Sequence, residues 1–328
     1  DRMQQVFEFD PPRKHGMDVL DSIQAMADGK VGVFVGMGGN FVAAAPDTEH
    51  TEQAMRKCGL TVHVATKLNR SHLVHGKEAL LLPCLGRTEK DLQASGLQEV
   101  TVEDSMSMVH ASRGKKTPAS PYLLSEPAIV AGIAEATLGN DPIPWGEHVA
   151  DYRKIRDRIE EAIPGFDDFN ERIKAPGGFH LRNAAREREW KTEGAKAHFM
   201  VAPLPELGLP EGQLRLMTMR SHDQYNTTIY GQDDRYRGVY GTRQVVFMNA
   251  EDLAERGLQD GDSIHLTSHH EDGKRHAPGF KAVEYNIPKG CAGAYFPEAN
   301  VLVSVRSYAT GSRTPASKFV PVTVTREG

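Results

Sequence analysis

Between residues 213 and 326 the chain breaks into short apolar runs, "QLRLMTMRS", "RQVVFMN", "DSIHLTS", "GFKAVEYNI" and "FVPVTVTR", with turn residues between them. Runs of this length and composition are β-strands, and a set of them in one third of a chain is best accommodated by a sheet closed on itself, which leaves no exposed edge. A β-barrel is therefore expected at the C-terminal end. One unit inside it is readable residue by residue. In "QVVFMNAEDLAERGLQDGDSIHLTS" a strand ends at Asn249, whose side chain can cap a short helix over "AEDLAERG"; Gly257 ends the helix and "DGD" turns the chain into the next strand.

The first half has a different rhythm. Met17, Leu20, Ile23 and Met26 recur near helical spacing, then "VGVFVG" at 31–36 reads as a strand. After the glycines Asp47 or Thr48 can cap a helix through Met55 and Lys57, with Gly59 as its stop. "LTVHVAT" and "EALLLP" are the next strands, so helices alternate with short apolar strands as in a parallel α/β sheet. "VTVEDSMSMVHASRG", residues 100–114, reads as one short strand and a loop. A helix follows with Ser125 as N-cap and Pro127 in its first turn. A charged helix then runs over "GEHVADYRKIRDRIEEAIPGF" with an apolar stripe of Tyr152, Ile155, Ile159 and Ile163. Residues 164–195 turn polar and rich in glycine and arginine and read as a connector.

The 328 residues suffice for two domains with their own cores. The net charge of −5 is spread along the chain, which argues against a nucleic acid or an anionic membrane as the main partner. No apolar run is long enough to span a bilayer and no secretory pattern opens the chain, so membrane insertion is not expected and a cytoplasmic location is. The chain enters directly on "DRMQQVFEFDPP", as expected of the middle of a longer polypeptide. Cys58, Cys84 and Cys291 are odd in number and widely spaced, which fits reduced thiols and neither a disulfide frame nor a metal cluster. No protein-ligated metal site is expected.

Two polar constellations stand out. "GMGGN", residues 36–40, follows a strand, and such glycines either bring backbone N–H groups to a phosphate or simply turn the chain at a strand exit. It lacks the third glycine of a dinucleotide fingerprint, and no Walker lysine follows. "MTMRSHDQYNTTIYG", residues 217–231, packs Arg220, His222, Asp223, Gln224, Tyr225, Asn226, Thr227 and Thr228 after a β run. It suits either a polyphosphate or polar heterocycle, or a solvated loop that bonds to itself.

The stretch from "VGVFVGMGGNFVAAAPDTEH" to "LLLPCLGRTEKD" resembles the third domain of molybdopterin oxidoreductase catalytic subunits, specifically the formate-dehydrogenase-like alpha subunits. "MTMRSHDQYNTTIYG" through "GAYFPEANVLVS" and "TPASKFVPVTV" resembles their fourth domain, the molybdopterin-dinucleotide-binding double-psi β-barrel. The resemblance covers nearly the whole chain. It implies an α/β fold class: a Rossmann-like parallel-sheet domain over 1–180, incomplete at its N-terminus, a linker over 181–197 and the barrel over 198–328. It also implies molybdopterin guanine dinucleotide carrying molybdenum or tungsten as cofactor, with two-electron redox chemistry at the metal. The cofactor-binding residues it implies are Gly36, Gly38, Gly39, Asn40, Thr66, Asn69 and Glu126, and on the barrel Arg220, His222, Gln224, Tyr225, Asn226, Asn300, Ser317 and Lys318. The family's four-cysteine cluster domain and the residue beside the metal have no counterpart here. The catalytic residues and the iron–sulfur cluster are therefore expected in an N-terminal half of the same subunit, which would be a partner together with an electron-transfer subunit. This chain alone is expected to be inactive. The alternative is a stand-alone, non-catalytic module that binds a guanine dinucleotide or a partner subunit.

Overall fold

The computed structural model describes every residue except Asp1, Pro205, Leu207 and Thr228; the last belongs to the polar loop noted above and lies outside the described residues. Three strands, β1 (Val33–Met37), β2 (Leu60–Ala65) and β3 (Glu78–Pro83), form a sheet in that order, with β1 and β2 parallel. Short strands β4 (Leu92–Gln93) and β5 (Gly96–Leu97) pair as a hairpin, and β6 (Val100–Glu103), β7 (Met108–Ser112) and β8 (Phe179–His180) make a second three-stranded sheet. Strands β9 (Leu214–Met219), β10 (Val245–Met248), β11 (Ser263–His270), β12 (Gly273–Glu284), β13 (Cys291–Tyr295) and β14 (Val320–Arg326) close into a six-stranded barrel in the order β10-β12-β11-β14-β9-β13. The fold is thus mixed α/β with a parallel sheet and a closed barrel.

Contacts divide the chain into two compact units, residues 1–15 with 83–204 and residues 16–82 with 205–328. This grouping does not follow sequence order: the segment holding β1 and β2 belongs with the barrel and not with the helices after residue 83.

In the barrel unit, two parallel pairs, β10·β12 and β9·β13, are combined with four antiparallel ones, three of which run consecutively from β12 through β11 and β14 to β9. Leu214, Leu216, Val246, Ile264, Leu266, Phe280, Val320 and Val322 fill the interior. Complete burial of each such side chain contributes about 1.5–3 kcal/mol. Asn249 caps the helix Ala250–Glu255 by accepting from the Glu251 N–H at 2.9 Å, as its sequence position requires. Strand β13, "CAGAY", had no apolar alternation to announce it, since small residues carry little β propensity. Beside the barrel, the helix Val19–Ala27 packs Ile23 and Met26 against Met55, Cys58 and Val74 and also buries Leu20. Asp18 caps this helix, so Met17 falls outside it and is exposed, contrary to the helical stripe read from the sequence.

In the other unit, Ser125 caps the helix Glu126–Leu138 through the Ala128 N–H, with proline in the first turn as expected. The charged helix is not continuous. It breaks into Trp145–Ala150 and Tyr152–Ala162, because Asp151 leaves the helical region and its carboxylate accepts from the Arg153 N–H at 3.0 Å. Of the expected stripe, Tyr152 is buried, Ile155 and Ile159 are half-buried, and Ile163 is exposed. Residues 100–112 form the hairpin of β6 and β7 where one strand and a loop were expected. The polar stretch after 164 also carries a small core in which Phe166, Phe169, Ile173 and Phe179 pack on Val109. Gly178 makes this packing accessible: its φ is +78°, and a Cβ there would lie 1.9 Å from the Val109 carbonyl oxygen. Gly178→Ala is expected to cost about 2–3 kcal/mol in chemical denaturation, from left-handed backbone and overpacking together.

Candidate functional site

Strand β1 runs out at two glycines, Gly38 and Gly39, both at positive φ, and Gly38 donates its N–H to the Val64 carbonyl at 2.7 Å. Only after this turn can Asn40 open the short helix Phe41–Ala44. That helix was missed from the sequence because four residues leave no periodicity. Gly36 stands one step earlier, inside β1 opposite His63, where a Cβ would meet the Phe34 ring at 2.9 Å.

The loop after β2 comes alongside the turn. Asn69 donates from Nδ2 to the Gly39 carbonyl at 2.8 Å and accepts from the Ser71 N–H at 3.0 Å, while its own N–H donates to His72 Nδ1. Both functional atoms of this amide are thus used within the protein, and Asn69 holds the glycine turn in place. Ser71, which sequence reasoning did not single out, is the centre of the arrangement. Its Oγ accepts from the Val42 N–H at 3.1 Å and the Ala43 N–H at 3.4 Å, and donates to Asn40 Oδ1. Thr66 is exposed on the same loop.

From the barrel, the buried Asn300 reaches the other end of the short helix, its side-chain Nδ2 donating to the carbonyls of Ala43 at 2.8 Å and Ala44 at 3.0 Å and its main-chain carbonyl accepting from the Asp47 N–H at 3.0 Å. Asp47 does not cap its helix with its side chain, as the sequence suggested. Its carboxylate instead pairs with Arg275 at 2.5 Å, and Arg275 also holds Asp272 at 2.8 Å. Asn300→Ala is expected to lower unfolding free energy by about 1–2 kcal/mol in urea titration, since two carbonyls lose their donor.

The polar loop after β9 is largely bonded to itself. Arg220 donates to Asn226 Oδ1, and Asn226 sits at φ +47°. Gln224 donates to the carbonyls of Asn226 and Phe296 and accepts from the Ser221 N–H. His222 contacts Asp234 at 3.0 Å and stacks against Tyr236, and Tyr225 is exposed. Lys318 donates to the Thr218 carbonyl, and the Ser317 carbonyl accepts from the Thr218 N–H at 2.9 Å. Burial and the neighbouring Arg220 push the Lys318 ammonium below the usual lysine range. A cation weakened in this way gains from an approaching anion.

Two buried charges beneath the loop were not legible from sequence. Arg243 donates to Glu298 at 2.9 Å, to Ser221 at 2.7 Å, to Gln224 at 2.8 Å and to the Phe296 carbonyl at 2.9 Å, and lies over the rings of Tyr230 and Tyr295. Asp234 accepts from Arg237 at 2.7 Å and Tyr295 at 2.9 Å. Burial alone would raise its pKa, but the hydrogen bonds from Tyr295, Arg237 and His222 outweigh it and bring it down to about 2.

These pieces enclose an open cavity of about 700 Å3. Its lining takes Asn40, Glu49, Glu52, Asn69 and Arg70 from the glycine-turn segment and Thr227, Tyr230, Gln232, Arg243 and Glu298 from the barrel segment. Among the fifteen sequence-expected residues, Asn40 and Asn69 line this cavity. Glu126 belongs to the other compact unit, where it is exposed beside a small recess with Ser125 and Tyr152. Among the described residues no group of three or more His, Cys, Asp or Glu side chains is placed to hold a metal ion, and no helix is long and apolar enough to cross a membrane.

Residues 214–321 match the family model described as the molydopterin dinucleotide binding domain. Over 96% of its length the chain is 51% identical to an uncharacterized oxidoreductase of Mycobacterium tuberculosis H37Rv, of which it covers 42%. Over 98% of its length it is 45% identical to protein YdeP of Escherichia coli K12, of which it covers 43%. The chain therefore spans less than half the length of the curated relatives it matches. Its fold is similar to that of acetylene hydratase from Pelobacter acetylenicus, with a TM-score of 0.60 and 14% identity over 94% of this chain and 46% of the other. The resemblance to molybdopterin oxidoreductases read from the sequence is borne out at this level.

Proposed function

We propose that this chain, whose residues 214–321 match the molydopterin dinucleotide binding domain model, is the cofactor-clamping portion of a larger oxidoreductase and takes the cofactor's dinucleotide as the guanine form. The observation that carries the reading is the cavity between the glycine-turn segment and the barrel loops. Its donors and acceptors fit a nucleoside end. Guanine presents adjacent ring N–H and amino donors together with carbonyl and ring-nitrogen acceptors. Glu49 and Glu52 supply acceptors, and the Asn40 amide supplies a donor. Three carboxylates, Glu49, Glu52 and Glu298, outnumber the two arginines of the lining, Arg70 and Arg243, and disfavour phosphate there, so the pyrophosphate is assigned to Arg220 and Lys318 outside it, with Ser317, His222 and Tyr225 near the same strand ends.

The remaining parts of the proposal follow from the resemblance. Molybdenum or tungsten on the bound pterin would supply two-electron redox chemistry, while this chain's residues bind and orient the dinucleotide. The barrel is read as double-psi, which its mixture of parallel and antiparallel neighbours supports, and the β1–β3 sheet as Rossmann-like. The complete protein is read as a cytoplasmic, formate-dehydrogenase-like enzyme, its cluster and metal-side residues supplied by an N-terminal portion of the same subunit. Gly38, Gly39 and Thr66 would lie along the nucleoside; Glu126 and the barrel residues Gln224, Asn226 and Asn300 would position the ligand or its loops.

Arg220→Ala and Lys318→Ala, each made in the full-length oxidoreductase, are expected to lower the guanine nucleotide retained through purification by about tenfold, the effect of losing one charge-assisted contact. Nucleotide content unchanged in both variants would withdraw these two residues from the site.

A further inference from the structure

We propose that Ser71 is a positioning residue that fixes Asn40 as a hydrogen-bond donor to the cavity, so that the site selects a ligand presenting a lone pair at that point. The inference rests on the nucleotide reading above for the class of ligand, and on hydrogen-bond geometry for the rest.

A serine hydroxyl has one proton to donate and two lone pairs to accept with. At Ser71 both acceptor positions are taken, by the N–H groups of Val42 and Ala43 at the start of the short helix. The hydroxyl is buried, and its single proton is directed at Asn40 Oδ1. An asparagine amide has two orientations related by a half-turn, and its partners decide between them. Were Asn40 turned round, its NH2 would be a third donor crowding Ser71 Oγ, and the Ser71 proton would be left buried without an acceptor. The network therefore admits one orientation. Among the described residues Asn40 Nδ2 has no protein acceptor, and Asn40 lines the cavity. Ser71 itself is anchored, since its N–H donates to Asn69 Oδ1 and Asn69 in turn is tied to Gly39. The same amide that could have served as donor or acceptor is thus committed before any ligand arrives. A carboxylate at this position would accept the Ser71 proton equally well and offer the cavity a lone pair and a charge in place of a donor.

The experiment has two arms, both on the purified chain with 15N-labelled asparagine. In the ligand-free arm, the side-chain NH2 of Asn40 is expected to exchange magnetisation with water and to show no contact with the Ser71 side chain. Ser71→Ala is expected to lose this single orientation and Ser71→Thr, which keeps the hydroxyl, to restore it. An Asn40 NH2 found against Ser71 in the unmodified chain would overturn the inference whatever the ligand. In the second arm, GMP is the probe. On titration the Asn40 NH2 resonances are expected to move, Asn40→Asp and Ser71→Ala each to weaken binding about tenfold, and Ser71→Thr to remain near the unmodified affinity. GMP binding as tight in Asn40→Asp as in the unmodified chain would overturn the donor role. An unmodified chain that does not bind GMP would overturn the nucleotide reading, leaving the ligand-free arm to decide the part of Ser71.

Discussion

Arg243→Met is expected to lower the unfolding free energy of the barrel unit by about 3–5 kcal/mol, the cost of taking one partner out of a buried, hydrogen-bonded ion pair. The guanidinium is 2% exposed and spends its fork on Glu298, Ser221, Gln224 and the Phe296 carbonyl, with Tyr230 and Tyr295 against its face. A methionine fills much of the volume but leaves the Glu298 carboxylate without its cation and several buried acceptors without a donor. Lysine keeps the charge and not the planar fork, so Arg243→Lys should recover less than half of the loss. Combining Arg243→Met with Glu298→Leu should be milder than Arg243→Met alone, because the orphaned charge is gone. Urea denaturation of the set reads these differences directly, and additive losses in the double variant would contradict the pairing.

Asp234→Asn is expected to cost about 3 kcal/mol at neutral pH and to flatten the acid limb of the stability profile. Asp234 is buried and accepts from Tyr295, Arg237 and His222. Its pKa is about 2 in the folded chain against an ordinary 3.8, so more protons bind the unfolded form across that range. The stabilisation is therefore complete above about pH 4 and is lost as the pH falls toward 2, amounting to about 2 kcal/mol. Asp272, held at about 2 chiefly by its hydrogen bond from Arg275, titrates in the same window. The variant should therefore keep part of the slope. Denaturation midpoints measured between pH 5 and pH 2 that fall equally steeply in both proteins would rule out Asp234 as a source of the acid sensitivity.

What could be read from the sequence was local. Ser125 and Asn249 announce helices because an N-cap acts within three residues, and both cap as expected. The alternating apolar runs announce barrel strands because their period matches the pleat, whereas the small residues of β13 carry no such signal. The helix break at Asp151 is also a cap, but it sits inside a longer helical pattern that masks it. Apart from the four-residue helix Phe41–Ala44, the parts of the site that sequence missed rest mainly on long-range contacts. Ser71 meets a helix that starts thirty residues earlier, Asp47 chooses Arg275 over its own helix, Arg243 pairs with Glu298, and Asp234, besides Arg237 three residues on, is held by Tyr295 from strand β13. Nothing at those positions distinguishes a buried ion pair from a solvated one until the chain has closed around it. Asn40 was legible as part of "GMGGN" and Asn69 only through the resemblance; both line the cavity, but the sequence did not show that Asn69 spends its amide on Gly39 and Ser71 while the Asn40 NH2 is left without a protein acceptor.

The most direct test of the dinucleotide site is to purify the protein from cells that make molybdopterin guanine dinucleotide and from an otherwise identical strain that cannot, denature both samples in acid, and identify the nucleotide released. GMP in proportion to protein from the first strain, absent from the second and much reduced by Asn40→Asp, is the expected result. Protein from the first strain that releases no nucleotide, or GMP retained unchanged by the Asn40→Asp variant, would contradict the assignment of this cavity to the guanosine end of the cofactor.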